Sequence, residues 1–142
     1  MTNTPYRVLA RKYRPTSLKD LVGQELLVQT LQQAIESDRV PHAFLLHGIR
    51  GVGKTTTARI LARSLNCMGS DGKGPITLTP CGVCPSCVGI AEDRHLDVLE
   101  MDGASHTGVD DIREITESAR YKAVTGRFKI FIIDEVHMLS KS

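Results

Sequence analysis

Two short segments hold the residues best suited to chemistry, and the first is a glycine-rich stretch at residues 48–55. It reads Gly-Ile-Arg-Gly-Val-Gly-Lys-Thr and matches G-x-x-x-x-G-K-[ST], the pattern of a phosphate-binding loop. Glycines at 48, 51 and 53 let successive backbone N–H groups turn toward phosphate oxygens, and a helix beginning near Lys54 adds the positive end of its dipole. The pattern predicts that the chain binds the phosphates of ATP.

The polar side chains of this loop have distinct expected roles. Lys54 would place a positive charge beside the β- and γ-phosphates, and the Thr55 hydroxyl would coordinate Mg²⁺. For the pattern alone, the alternative is a glycine-rich strand-to-helix turn that binds nothing. The residues expected to contact the nucleotide are Gly48, Ile49, Arg50, Gly51, Val52, Gly53, Lys54, Thr55 and Thr56.

The second segment is an acidic pair that follows an apolar run. Residues 130–133 are Ile, Phe, Ile and Ile, and they lead directly into Asp134 and Glu135. Ligands of open α/β sheets bind at the carboxyl ends of strands, where Asp134 is suited to hold Mg²⁺ and Glu135 to deprotonate an attacking water. Taken alone the pair also suits a solvated turn, but together with Lys54 and Thr55 it predicts the catalytic set of an ATPase.

Four cysteines form a third constellation. Cys81, Cys84 and Cys87 make two overlapping C-x-x-C turns, and Cys67 precedes them across a polar loop at 68–80. Four thiolates complete a tetrahedral structural zinc site, which would hold together a loop too polar to fold by core burial. An iron–sulfur cluster, free structural thiols and redox-active thiols are the alternatives. A closed zinc site has no open position, so no catalytic role is assigned to it.

The elements that must position these residues follow from apolar spacing. Spacings of three to four predict helices at 24–37, 54–65 and 109–121, the last with Val109, Ile112, Ile115 and Ala119 facing inward. Short apolar runs predict strands at 43–46, 96–101 and 129–133. Strands that alternate with helices indicate an α/β fold with a parallel sheet.

Composition limits the classes of protein. The 142 residues, 41% of them hydrophobic, suffice for about one domain, and a net charge of +2 does not suit a protein that coats nucleic acid. The sequence contains no apolar stretch of membrane-spanning length and no signal-peptide core, which favours a cytoplasmic protein without membrane contact. A basic run at 7–14 is either a solvated surface or a nucleic-acid arm, and its Tyr13 is a candidate for contact with a base or adenine.

Taken together these motifs resemble the bacterial clamp-loader gamma/tau subunits of DNA polymerase III, which are AAA+ ATPases. The resemblance is carried by Leu9–Pro15 (LARKYRP), Leu21–Gln24 (LVGQ), the phosphate loop, the four cysteines and Asp134–Ser140 (DEVHMLS). It implies a P-loop NTPase sheet of the AAA+ type, flanked by helices. Residues 1–142 would be the N-terminal part of that domain, with 1–23 as an adenine-wrapping lead-in and 67–87 as a zinc-binding insertion.

The resemblance also implies ligands and partners. The adenine and ribose would contact Arg11, Tyr13, Arg14, Pro15 and Val22, and the four cysteines would bind zinc. The partners would be the delta and delta-prime subunits, other gamma/tau copies, the sliding clamp and primed DNA, within the DNA polymerase III holoenzyme. The region around Ala104 and Ser105 would lie near a neighbouring subunit's ATP site or the DNA channel.

The chain departs from the family pattern in length. Family members continue past Ser142 with sensor motifs, an arginine finger, a helical lid and a collar, and with a strand that lies between the strand before the phosphate loop and the strand before Asp134. The sequence therefore predicts a truncated sheet with a gap, weak nucleotide binding and negligible hydrolysis. The alternative functions are a small P-loop kinase and a non-catalytic, zinc-bearing nucleotide-binding interaction module.

Overall fold

Four helices and two strands make up the described part of the chain. The computed structural model describes residues 15–21, 25–46, 53–105 and 109–139. In chain order the elements are α1 (Glu25–Glu36), α2 (Lys54–Asn66), α3 (Pro85–Ala91), β1 (Val98–Asp102), α4 (Val109–Ala119) and β2 (Ile130–Asp134), with 3-10 turns at Leu18–Asp20 and Val136–Met138. The three predicted helices are confirmed as α1, α2 and α4. No helix within these ranges is long and apolar enough to cross a membrane.

The two strands pair in parallel and lie in full register. Val98 faces Ile130 at one end of the ladder, and Asp102 faces Asp134 at the other. The chain between them passes through α4, since parallel neighbours need a crossover connection. Both strands therefore finish at the same edge of the sheet, and the predicted α/β fold is confirmed at this level.

The strand predicted at residues 43–46 is wrong. These residues lie outside any strand, and Leu45 is 77% exposed. Among the described residues the sheet has two strands, β1 and β2. A strand requires a hydrogen-bonded neighbour. Instead of pairing, residues 40–46 and residues 128–137 line a common cavity of about 570 Å³.

Helix α2 is the centre of the packing. Its Ile60 and Leu61 lie in one apolar cluster with Leu31 of α1, and its Ala62 lies in a second cluster with Ile132 of β2. Ile60 and Leu31 are each only 2% exposed. Burial of such side chains stabilises the fold by about 2 kcal/mol each. The helix that follows the phosphate loop is thereby fixed against both α1 and the sheet.

Helix α4 differs from α2 in that its predicted inward face is not buried. Not one of its residues is classed as buried, and Val109 at its start is 45% exposed. Ile112 and Ile115 are half-buried. The prediction that this face packs inward is wrong for the described part of the chain, because periodicity specifies a helix and its apolar face but not a partner for that face.

Candidate functional site

The start of α2 and the end of β2 meet at one point. The Thr55 hydroxyl donates a hydrogen bond to the Asp134 carboxylate, with 3.2 Å between Oγ1 and Oδ2. Gly53 caps α2 in the left-handed region with φ of 87°, which glycine adopts at no steric cost. The Thr57 N–H then donates to the Gly53 carbonyl at 2.8 Å and closes the first helical turn. The fold thus unites two residues that are 79 positions apart in the sequence.

The other two predicted catalytic residues lie beside this pair. Lys54 and Glu135 line the same cavity as Thr55 and Asp134, and all four side chains are half-buried. Glu135 has φ of 51°, and its N–H donates to the Asp134 carboxylate at 3.0 Å. The Glu135 carboxylate lies 3.3 Å from Nε2 of His137. These four residues therefore contribute a cationic, a hydroxyl and two acidic side chains to the cavity.

Gly103 is a residue of this site that sequence reasoning did not identify. Its N–H donates to the Asp134 carbonyl at 2.7 Å. A Cβ atom at this position would lie 2.6 Å from the Glu135 carbonyl oxygen, closer than real contacts allow. Only glycine therefore lets the chain after β1 pass this close to the end of β2. The available signal was a glycine two residues after Met101, where the strand predicted at 96–101 ends.

The four cysteines converge on a single point. Their sulfur atoms all lie within 4.8 Å of one another, and none of the four forms a disulfide. A tetrahedral zinc ion with Zn–S bonds of about 2.3 Å needs sulfur atoms roughly 3.8 Å apart, so shifts of about 1 Å or less would suffice. Cys67, Cys84 and Cys87 are buried and Cys81 is half-buried. The arrangement fits a closed four-thiolate metal site.

The local backbone directs N–H donors at the sulfur atoms of this cluster. Cys67 Sγ accepts hydrogen bonds from the N–H groups of Gly69 and Cys81 at 3.4 and 3.3 Å. Cys84 Sγ accepts from the Cys87 N–H at 3.4 Å, and so caps α3, which has a proline at its first position. Helix α3 was not predicted, because its seven residues include proline and glycine and are too few to show periodicity.

Two of the thiols have strongly shifted pKa values. Burial alone would raise the pKa of Cys81, but hydrogen bonds from the Val83 and Cys84 N–H groups and from neighbouring thiols outweigh it and lower the pKa to about 6. Burial raises the pKa of Cys87 to about 12. One sulfur of the cluster is therefore readily ionised, whereas another needs a bound cation to be deprotonated near neutral pH.

The remaining predicted contacts fall mostly outside the described residues. These are the loop residues Gly48, Ile49, Arg50, Gly51 and Val52, and the lead-in residues Arg11, Tyr13, Arg14 and Val22. Thr56 lies half-buried in the first turn of α2. Pro15 is half-buried and is not among the described residues that line the cavity beside Asp134. Their predicted roles in adenine and phosphate binding stay predictions.

A comparison with protein-family models connects this geometry to a known group. Residues 23–142 match the model described as DNA polymerase III, delta subunit. The chain belongs to this family of DNA polymerase III subunits. The match begins just after the lead-in and includes the phosphate loop, the four cysteines and the acidic pair.

Individual relatives narrow the similarity to the tau/gamma subunits. The chain is 47% identical over 136 residues to DNA polymerase III subunit tau/gamma of Haemophilus influenzae and 48% identical over 136 residues to subunit tau of Escherichia coli, each over 96% of the chain. It is 51% identical over 134 residues, 93% of the chain, to subunit gamma/tau of Mycobacterium bovis. The resemblance to gamma/tau subunits is confirmed.

The relatives are much longer than this chain. The matched region covers 19% of the Haemophilus influenzae protein, 20% of the Escherichia coli protein and 22% of the Mycobacterium bovis protein. The chain thus spans about a fifth of the length of these three relatives.

Proposed function

We propose that the chain is the ATP-binding part of a motor subunit of the DNA polymerase III clamp loader, with the P-loop NTPase sheet of the AAA+ class. The observation that carries the proposal is the 3.2 Å contact between the Thr55 hydroxyl and the Asp134 carboxylate. A hydroxyl at a helix start and a carboxylate at a strand end are the two protein ligands that P-loop NTPases offer to Mg²⁺.

Each side chain at this point has a distinct task. Lys54 neutralises charge on the β- and γ-phosphates of ATP, while Thr55 and Asp134 hold Mg²⁺ between them. When bound, Mg²⁺ offsets the negative charge that develops on the transferred phosphoryl group. Glu135, which lines the same cavity beside His137, orients and deprotonates a water molecule for attack on the γ-phosphate.

The four cysteines would hold one structural zinc ion. Their convergence and the N–H groups directed at their sulfur atoms support this assignment over free thiols. Zinc bound by four thiolates has no open position, so the ion contributes stability to the loop between α2 and α3 and takes no part in hydrolysis.

Hydrolysis would be completed by other parts of the subunit and by neighbours. An arginine supplied in trans increases the rate of comparable phosphoryl transfers by roughly 10³ to 10⁵. The delta and delta-prime subunits and other gamma/tau copies are the expected neighbours, in the bacterial cytoplasm. Together they would load the sliding clamp onto primed DNA. The cavity lined by residues 40–46 and β2 supports the addition of a further strand of the AAA+ sheet at that place.

Calorimetric titration of the chain with ATP in the presence of Mg²⁺ tests the nucleotide site. We expect saturable binding that is lost in Lys54→Ala and retained in Lys122→Ala, a matched variant at an exposed position. Equal affinity in the two variants, or no binding by the unaltered chain, would refute the proposal.

Elemental analysis tests the zinc site on the same preparation. We expect one zinc ion per chain, lost in Cys84→Ser. Iron, or no metal with four titratable thiols, would contradict it.

In the complete subunit assembled with its partners, Glu135→Gln should abolish ATP hydrolysis. An unchanged rate would favour the alternative of a non-catalytic interaction module.

A further inference from the structure

Arg127 joins the segment before β2 to the loop that carries the cysteines. One Nη atom of its guanidinium donates to the carbonyls of Leu65 and Cys67 at 3.0 and 3.3 Å. The other donates to the carbonyl of Gly74 at 2.6 Å. These acceptors belong to the last turn of α2, to the first cysteine and to the middle of the polar loop. The hydrogen bonds of this one side chain therefore form only when the loop is in its folded position.

The neighbouring residue is tied to α2 by a two-point contact. The amide of Asn66, which is fully buried, donates to the Phe128 carbonyl at 2.9 Å and accepts from the Phe128 N–H at 2.7 Å. Asn66 immediately precedes Cys67, and Phe128 lies two residues before the start of β2. This contact aligns the entry of the strand with the C-terminal end of the helix.

The same helix and strand meet again at their opposite ends. Thr55 in the first turn of α2 contacts Asp134 at the end of β2. Thr55 and Asn66 are 11 residues apart on α2, so the two contacts lie about 16 Å apart along the helix. Helix and strand are thus fastened to each other near both ends, once at the cysteines and once at the candidate Mg²⁺ ligands.

We propose that Arg127 is a positioning residue that couples metal binding at the cysteines to nucleotide binding at Thr55 and Asp134. The proposal rests on the proposed function, because it needs both ligands to bind. The two-state element is the polar loop at 68–80, which folds around the metal and loosens without it. When the loop is loose, the carbonyls of Cys67 and Gly74 no longer stand together to accept from Arg127.

Hydrogen bonds to Asp97 limit how far the segment before β2 can move when the Arg127 contacts are lost. Its buried carboxylate accepts from the N–H groups of Val124, Thr125 and Gly126 at 2.6–2.7 Å. These bonds do not involve the cysteine loop, so they hold the segment near the sheet whether or not metal is bound. What varies with the metal is therefore the Arg127 contact, which acts together with the Asn66–Phe128 contact to align β2 with α2 and so to place Asp134 against Thr55.

The coupling is measured through the affinity of zinc rather than through activity. The chain is titrated with zinc in competition with a chromogenic chelator at constant pH, with and without Mg²⁺ and ADP. We expect the nucleotide to tighten zinc binding by at least about fivefold, the lower end of typical coupling between sites. Reciprocity requires zinc to tighten ADP binding by the same factor.

Arg127→Gln isolates the residue, since it leaves all four cysteines and the nucleotide ligands in place. We expect this variant to bind both zinc and ADP. The ratio of its zinc affinities with and without Mg²⁺ and ADP should fall to within twofold of one. Arg120→Gln is the matched control, because Arg120 is 73% exposed in its side chain and pairs with Glu117 on α4. It should keep the full ratio.

If Arg127→Gln does not fold, hydrogen–deuterium exchange on the unaltered chain decides the question. Chelation of zinc should speed amide exchange in residues 128–133 at least tenfold and leave α1 unchanged. Arg127→Lys, which keeps the charge but loses the planar fork, should show an intermediate affinity ratio. A zinc-affinity ratio of one in the unaltered chain, when that chain binds both ligands, would overturn the coupling alone. Unchanged amide exchange at 128–133 after chelation would do the same. Failure to bind either ligand would overturn the proposed function with it.

Discussion

Helices α2 and α4 have similar lengths, 13 and 11 residues, and both carry apolar residues on one face. Six residues of α2 are buried, whereas none of α4 is. Each end of α2 also holds a polar constellation: the phosphate-loop residues at its start and the first cysteine just after its end. The stable part of the described chain is therefore built around the helix that serves both candidate sites.

The difference shows which helix has its partners within the described residues. Helix α2 contacts α1, α3 and β2, and its apolar residues Ile60, Leu61 and Ala62 are buried by these contacts. The apolar face of α4 has no comparable cover there. Perturbations near α2 should consequently have large effects, and equivalent perturbations on α4 should have small ones.

Removal of zinc should give the largest difference between the two regions. Structural zinc sites contribute apparent binding energies of about 10–16 kcal/mol in small domains. We expect chelation under reducing conditions to remove most amide protection from residues 67–91 and to leave α4 unchanged, as measured by hydrogen–deuterium exchange. Equal protection of residues 67–91 with and without chelator would show that the loop folds without metal.

Matched core truncations should separate the helices next. Ile60→Ala removes a side chain that is 2% exposed and should lower the free energy of unfolding by about 3 kcal/mol. Ile115→Ala on the half-buried face of α4 should cost less than about 1 kcal/mol. Urea denaturation at fixed zinc concentration gives both values. Similar losses for the two variants would mean that α4 is packed after all.

Removal of the Asp97 charge should have the next largest effect on the free energy of unfolding. Asp97 is 1% exposed and accepts four hydrogen bonds from Val124, Thr125 and Gly126. Asp97→Asn should lower the free energy of unfolding by about 2 kcal/mol at pH 7, because two or more donors lose a charged acceptor. Asp110→Asn on α4, where the carboxylate is exposed, should change it by less than about 0.5 kcal/mol.

The effect of Asp97 should also depend on pH in a defined direction. Burial would raise the pKa of this carboxyl, but the hydrogen bonds from Val124, Gly126 and Thr125 outweigh burial and lower the pKa to about 2. The ordinary value is about 3.9. The stabilisation is therefore complete above about pH 4 and is lost as the pH falls toward 2. The difference between the unaltered chain and Asp97→Asn should narrow over that window, and a constant difference would contradict the assignment.

The smallest expected difference concerns two ion pairs. Arg59 on α2 makes a bidentate contact with Glu100 on β1 at 2.9 and 3.1 Å, and both side chains are about 70% buried. Arg59→Gln should cost about 1 kcal/mol in chemical denaturation. Arg113→Gln, which removes an exposed pair with Asp110 at 3.7 Å, should have almost no effect. Equal losses in the free energy of unfolding would show that the Arg59–Glu100 contact stabilises the fold no more than the exposed pair does.

The sequence predicted the parts of this structure that depend on local pattern. Periodicity located α2, and short apolar runs located both strands of the sheet. The motif spacing identified Thr55 and Asp134, which the fold then brings into contact. The failures have a common cause. The run at 43–46 is apolar enough for a strand, but a strand forms only with a hydrogen-bonded neighbour, which sequence pattern does not reveal.

The sequence pattern also did not predict the long-range polar contacts. Asn66, Asp97 and Arg127 are ordinary polar residues in the sequence, and nothing in their spacing indicates that they accept or donate across 27 to 62 positions. Gly103 is a partial exception, since a glycine at a strand end suggests a close approach of two chain segments. Burial of such groups is decided by tertiary packing rather than by local propensity.

The most direct test of the central claim is whether Thr55 and Asp134 bind the same Mg²⁺ ion. ADP affinity is measured by calorimetry with and without Mg²⁺ for Thr55→Val, Asp134→Asn and the double variant, with Thr116→Val on α4 as control. A shared ion predicts that each single variant removes most of the Mg²⁺ dependence and that the double variant removes little more, with the control unaffected. Additive losses, or an Mg²⁺ dependence unchanged in either single variant, would contradict a nucleotide site at this point.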